Sequence, residues 1–138
     1  YGDFRVYHHS SIYRNAAMFG EGGAINVLGA GFNGIIGQLS IQDYSVVAGN
    51  YAGNNGGFIR ASLIGRTFGY GGIYVANNSA VIENIAGMCG GAFSSTYIFN
   101  MAKFADNVTV AGNIAGTDGG VICVMTITFG DVIVRNNA

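Results

Sequence analysis

This sequence predicts an all-β fold, a right-handed parallel β-helix (β-solenoid) of about five coils, and three observations lead there. A short phrase recurs along the chain: an aliphatic residue, two variable positions, Asn, one variable position and Ala. After each of the first four copies comes a Gly-Gly pair followed by two apolar residues. The copies recur within the roughly 20–50-residue range typical of stacked architectures, where each unit buries its apolar face against its neighbours.

The phrase begins at Ile12, Val47, Val81, Val110 and Ile133. Its asparagines are Asn15, Asn50, Asn84, Asn113 and Asn136, so the intervals are 35, 34, 29 and 23 residues. The shortest interval must hold a whole unit, and it suits one turn of a parallel solenoid better than a helix pair or a propeller blade. Val, Ile, Phe, Tyr and Thr dominate the units and Gly and Asn separate them, which is strand chemistry. No segment carries a sustained 3.6-residue apolar period with caps, so helix content should be near zero.

Each element of the unit has a physical reading. After the Gly pairs at Gly22, Gly56, Gly90 and Gly119, the second position is Ile25, Ile59, Phe93 or Ile122. The fourth is Val27, Ala61, Ser95 or Val124, and the third, Asn26, Arg60, Ser94 or Cys123, should face out. This period of two is a half-buried strand. The alanines of the phrase (Ala17, Ala52, Ala86, Ala115, Ala138) should face a crowded interior, with Gly making the next corner. In register, Asn15, Asn50, Asn84, Asn113 and Asn136 would form a structural ladder, their carboxamides about 4.8 Å apart and bonded along the stack. The first two intervals contain extra Gly- and aromatic-rich stretches from Gly29 and Arg66, which should bulge on one side as a binding face or as further wall.

Composition narrows the function. The 138 residues suit a single domain, 1–138, and half are hydrophobic, 9% are charged and the net charge is −1. The six basic residues are scattered, so the basic stripe of a nucleic-acid binder is missing. With 24 glycines, no proline and no Gly-X-Y period, the chain is neither collagenous nor disordered. The uncharged windows Gly22–Gln42 and Asn84–Ala102 are punctuated by Gly, Asn, Ser or Gln, unlike a membrane-spanning helix. No signal peptide is visible, and a start at Tyr1 reads as a processed product or a piece of a longer protein.

The residues that could carry chemistry are few. Seven acids are present, and repeat register puts Asp43, Asn77 and Asp106 in one column and Glu21, Asn55, Cys89 and Asp118 in another. Neither column places two acids on adjacent coils, as shared metal binding or acid–base work would require. No catalytic residue, cofactor site or metal site is assigned. His8 and His9, if extended, would point to opposite faces as a surface pair without a metal. Cys89 and Cys123 sit about four positions apart in register, over ~10 Å, beyond the ~7 Å Cα limit for a disulfide, so free thiols or contacts with another chain are expected. Asn77 and Asn107 head N-x-S/T sequons, sites of N-glycosylation if the chain is secreted by a eukaryote. The threonines share no column, which argues against ice binding.

The repeat resembles that of the polymorphic outer membrane proteins of chlamydiae and their relatives, which carry many GGA[ILV] and FxxN motifs. Gly22–Ile25 reads GGAI, with near matches at Gly56–Ile59, Gly90–Phe93 and Gly119–Ile122, and Phe104–Asn107 reads FADN. Ile or Val replaces Phe in the five phrases. The resemblance implies a secreted or surface β-helix with adhesive or structural roles.

The functional expectation is therefore a structural or adhesive extracellular element, a repeat segment of a surface protein or of a filament that stacks end to end, and not an enzyme. It should self-associate or stack on neighbouring coils, with a surface receptor or carbohydrate as further partner, no nucleic acid and no transmembrane segment. The alternative is a carbohydrate-active β-helix enzyme of pectate lyase-like or glycoside hydrolase-like type.

Overall fold

A computed structural model describes residues 2–28, 35–65, 71–128 and 130–137. Every regular element in them is a strand. The first group is β1 (Gly2–Val6), β2 (Ser11–Tyr13), β3 (Ala16–Ala17) and β4 (Ile25–Val27). The second is β5 (Ile35–Ile41), β6 (Val46–Ala48), β7 (Tyr51–Ala52) and β8 (Ile59–Ile64). The third is β9 (Gly72–Ala76), β10 (Ala80–Ile82), β11 (Ile85–Ala86) and β12 (Phe93–Phe99). Last come β13 (Met101–Ala105), β14 (Thr109–Ala111), β15 (Ile114–Ala115), β16 (Ile122–Thr128) and β17 (Val132–Arg135).

Among the described residues all strand pairs are parallel, and they form three sheets. Two are small: β14-β10-β6-β2 carries the aliphatic start of the phrase, and β15-β11-β7-β3 carries its Ala. The third is a nine-stranded sheet with the path β16-β12-β8-β5-β9-β13-β17, joined by β1 on β5 and β4 on β8. This large sheet corrects the predicted architecture. It is a curled half-barrel, not one wall of a β-helix solenoid of about five coils. Strand β5 pairs with β8 through Ile35 and Ile36 and with β9 through Gln38 to Ile41, joining two strand families into one surface. Likewise only Asn100, at φ 72°, separates β12 from β13. Repeat spacing reports which residues pair between units; it does not report where strands within a unit merge into one sheet.

The interior follows the predicted alternation in its central part. Ile59, Phe93, Ala61, Ala52 and Ala86 are buried, and Leu39, Ile41, Val47, Ile73, Val75, Val81 and Ile98 complete the core. Phe4, Phe58, Phe93 and Phe104 run through it as a file with centroids 6.3, 6.0 and 6.4 Å apart. Such pairs add about 0.5–1.5 kcal/mol each beyond their burial. Ser94, predicted to face out, is buried against the neighbouring repeats. The Gly29 and Arg66 stretches lie for the most part outside the described residues.

Close stacking depends on glycine in two columns. A Cβ on Gly53, Gly87 or Gly116 would run into the carbonyl oxygen of Met18, Gly53 or Gly87, one repeat earlier. A Cβ on Gly23, Gly57 or Gly91 would run into the carbonyl oxygen of Gly57, Gly91 or Gly120, one repeat later.

Candidate functional site

Asparagine occupies two different columns. In the first, Asn15, Asn50 and Asn84 each donate Nδ2 to Oδ1 of the next asparagine, reaching Asn113, at 2.9 Å per step. Their main-chain amides donate to the same oxygens at 3.1, 3.2 and 3.1 Å. Nδ2 of Asn50, Asn84 and Asn113 also donates backwards, to the carbonyls of Ile12, Val47 and Val81 at 3.2, 3.2 and 2.8 Å. Each central asparagine thus ties three repeats together. Asn50 and Asn84 are 0% exposed, so these bonds form without competing water.

Asn136 does not belong to this ladder. Its strand, β17, pairs with β13, placing Val134 opposite Phe104. The I-V-R-N-N-A phrase therefore continues the column of FADN, not that of V-A-G-N-I-A. Both columns share an apolar residue followed by Asn, and the sequence pattern alone merges them.

That second column is a series of two-residue left-handed turns: His8-His9, Asp43-Tyr44, Asn77-Asn78, Asp106-Asn107 and Asn136-Asn137, every φ lying between 54° and 65°. Asn and Asp tolerate this region better than other side-chain-bearing residues. Asn77 Nδ2 donates to Asp43 Oδ1 at 2.9 Å, and Asn136 Nδ2 to Asp106 Oδ1 at 2.8 Å. The histidines are turned, not extended: His8 Nδ1 lies 3.6 Å from Asp43 Oδ2, and His9 stacks on Tyr44 with centroids 5.1 Å apart. The sequon asparagines, Asn77 and Asn107, both lie exposed on this turn column. Ser79 of the first sequon is buried, its Oγ accepting from the Ser45 amide at 3.3 Å.

Cys89 and Cys123 form a disulfide with Cα atoms 5.6 Å apart, which overturns the expectation of free thiols. Counting positions as if the chain ran straight overstates their separation. Gly90, at φ 71°, folds the chain so tightly that an added Cβ would meet the Phe93 carbonyl, bringing Cys89 back towards the strand that carries Cys123. The first two repeats cross-link at the same pair of positions, because Cys89 and Glu21 share one column while Ser94 pairs with both Arg60 and Cys123. There Glu21 Oε1 lies 3.8 Å from Arg60 Nε and accepts from Asn55 Nδ2 at 2.6 Å.

The chemistry available is modest. Among the described residues, no three His, Cys, Asp or Glu side chains gather as a metal site. No helix among them is long and apolar enough to cross a membrane. Among the described residues, two apolar surfaces are open. One is an exposed strip on the outer side of β11 and β15, formed by Ile85 and Ile114 with Met88, Met18 and Phe19 nearby in the same region of the repeat; Phe19 is 97% exposed. The other is an open cavity of about 250 Å³ at the end of the last repeat, lined by Phe104, Val110, Val121 and Val134. Compared with known proteins, the chain matches no family model, no curated protein and no solved structure.

Proposed function

We propose that the chain is a structural and adhesive element of an extracellular or cell-surface protein, which works by associating with neighbouring repeats and surfaces. The Cys89–Cys123 disulfide carries this reading. Disulfides persist in oxidising compartments and are rare where thiol reductants are abundant. The exposed neighbours Ile85 and Ile114 support the adhesive part, together with Met18, Phe19 and Met88, which stand exposed in the adjoining turns, because exposed apolar groups gathered on one side of a repeat offer an interaction site. The repeat motifs shared with polymorphic outer membrane proteins point the same way.

The test is thiol mapping of native material. Alkylation without reductant, followed by peptide mass analysis, should leave both cysteines unlabelled and yield a linked Cys89–Cys123 peptide from an extracellular fraction. Labelled cysteines in protein recovered only from the cytosol would refute the proposal.

A further inference from the structure

The phrase that builds the stack holds two variable positions before its Asn, and these alternate in size from repeat to repeat. They read Tyr13-Arg14, Ala48-Gly49, Ile82-Glu83 and Ala111-Gly112. Register keeps each position in its own column. Tyr13 pairs with Ala48 and Ala48 with Ile82, while the Arg14, Gly49 and Glu83 amides donate in turn to the Ala48, Ile82 and Ala111 carbonyls. The second repeat is therefore recessed between two repeats that carry larger side chains. The recess is an open cavity of about 360 Å³ on the outer side of the stack, within the size range of small-ligand sites. Val46, Ala48 and Gly49 make its floor, and Ser11, Tyr13, Arg14 and Glu83 stand around it.

The two charges at its edges are placed against the preference of the backbone. Arg14 and Glu83 have φ of 54° and 55°, left-handed like Gly49 and Gly112 at 62° and 63° in the same column. Glycine takes this conformation freely, whereas a β-carbon makes it costly. Residues held in such strain gather at functional sites, where surrounding structure offsets it. Among the described residues, neither the Arg14 guanidinium nor the Glu83 carboxylate enters an ion pair or a side-chain hydrogen bond. Both stand exposed. They are two repeats apart, roughly 10 Å along the stack at ~4.8 Å per strand.

We propose that this recess binds a short saccharide that carries a carboxylate. The guanidinium of Arg14 presents a planar fork of donors and takes the carboxylate in a two-pronged hydrogen bond. Glu83 only accepts, so it takes sugar hydroxyls, and the Ser11 hydroxyl gives or accepts a further bond. The apolar C–H face of a sugar ring packs on Val46 and Ala48 and against the exposed Tyr13 ring. A saccharide fits better than a peptide because the floor strand, β6, has its main chain paired with β2 on one side and β10 on the other. Recognition is left to side chains, with no free strand edge for a peptide to join. The inference gives the adhesive reading above a ligand and rests on it only for that role. A failed binding assay leaves the thiol mapping unaffected, and reduced cysteines in the cytosol would leave the binding result standing.

Isothermal titration calorimetry on the purified chain tests the site, with digalacturonate and sialyllactose as acidic probes and lactose as the neutral one. At least one acidic probe should bind, at least tenfold tighter than lactose, and the one preferred tells a uronic acid from a sialic acid. Arg14→Gly should weaken that binding at least tenfold, with the thermal midpoint unchanged or raised because Gly suits the left-handed corner. Glu83→Gly should weaken it too, again without loss of thermal midpoint. Gly49→Asn, which tolerates the same conformation, should fill the recess and abolish binding in a folded protein. If Arg14→Gly disturbs the circular dichroism spectrum, Arg14→Gln carries the test. Acidic probes bound no tighter than lactose would overturn the inference, as would undiminished binding by Arg14→Gly or Gly49→Asn. Tighter binding of the dipeptide Lys-Asp than of either acidic sugar would overturn it in favour of a dipolar peptide.

Discussion

The two asparagine columns use one residue type at the same repeat interval for opposite purposes. Asn50 and Asn84 are sealed inside, and each holds the preceding and following repeats through carboxamide and main-chain bonds. Asn77 and Asn136 sit in the open on left-handed turns, where each bonds one neighbouring carboxylate. Water competes for the second set and not for the first. An unmade hydrogen bond is costly only where water cannot replace it. Periodicity in a sequence therefore says that a residue is part of the repeat, and burial decides what that residue is worth.

The sharpest way to break the comparison is the disulfide that supports the inner column from the side. Cys89 and Cys123 are 34 residues apart, and opening a loop of that size costs about 3–4 kcal/mol in the chain-entropy account. Cys89→Ser with Cys123→Ser should lower urea-unfolding stability by that amount in oxidising buffer, with no difference between the two proteins once both are reduced. Next is Asn84→Ala. It strands the Asn50 amide and carboxamide and the Val47 carbonyl, and at 1–3 kcal/mol per buried unmet group it should cost about 3 kcal/mol.

The outer column should respond less. Asn77→Ala loses one exposed bond and puts Ala in the left-handed region, for a cost of about 1 kcal/mol, and Asn77→Gly should recover most of it. Smallest is Glu21→Ala, which removes a partly exposed ion pair with Arg60 and a bond from Asn55; a loss of about 0.5–1 kcal/mol that shrinks in high salt is expected. Chemical denaturation of each variant reads these values directly. An Asn77→Ala cost equal to that of Asn84→Ala would remove the distinction between the columns.

Much of the strand pattern can be read from the residues themselves. Ile59, Ala61 and Phe93 alternate inwards because strand side chains do, and Ala52 and Ala86 fill the tight positions because larger groups would not fit. The merging of β5 with both β8 and β9 was not legible, since that pairing joins Ile35 and Ile36 to Leu63 and Ile64, residues outside the recurring phrase. Asn136 misleads because Ile133-x-x-Asn136 copies the local chemistry of the inner phrase while its strand pairs with β13, setting Val134 opposite Phe104. The disulfide was hidden by the turn at Gly90, which shortens a distance that sequence counting lengthens. A usable signal existed: Glu21 and Arg60 stand at the same two repeat positions as Cys89 and Cys123, and opposite charges there suggest proximity.

Site-resolved amide hydrogen exchange tests most directly the claim that the buried asparagine column locks the repeats together. The Asn50 and Asn84 amides, bonded to the next carboxamide inside the core, should exchange only through global opening, as slowly as the Ile73 and Val75 amides. The Asn78 and Asn107 amides of the exposed turns also carry hydrogen bonds, to Asp106 and Asn136, and should exchange at least ~100-fold faster through local opening. Equal protection in the two columns, or faster exchange at Asn84 than at Asn78, would contradict the account.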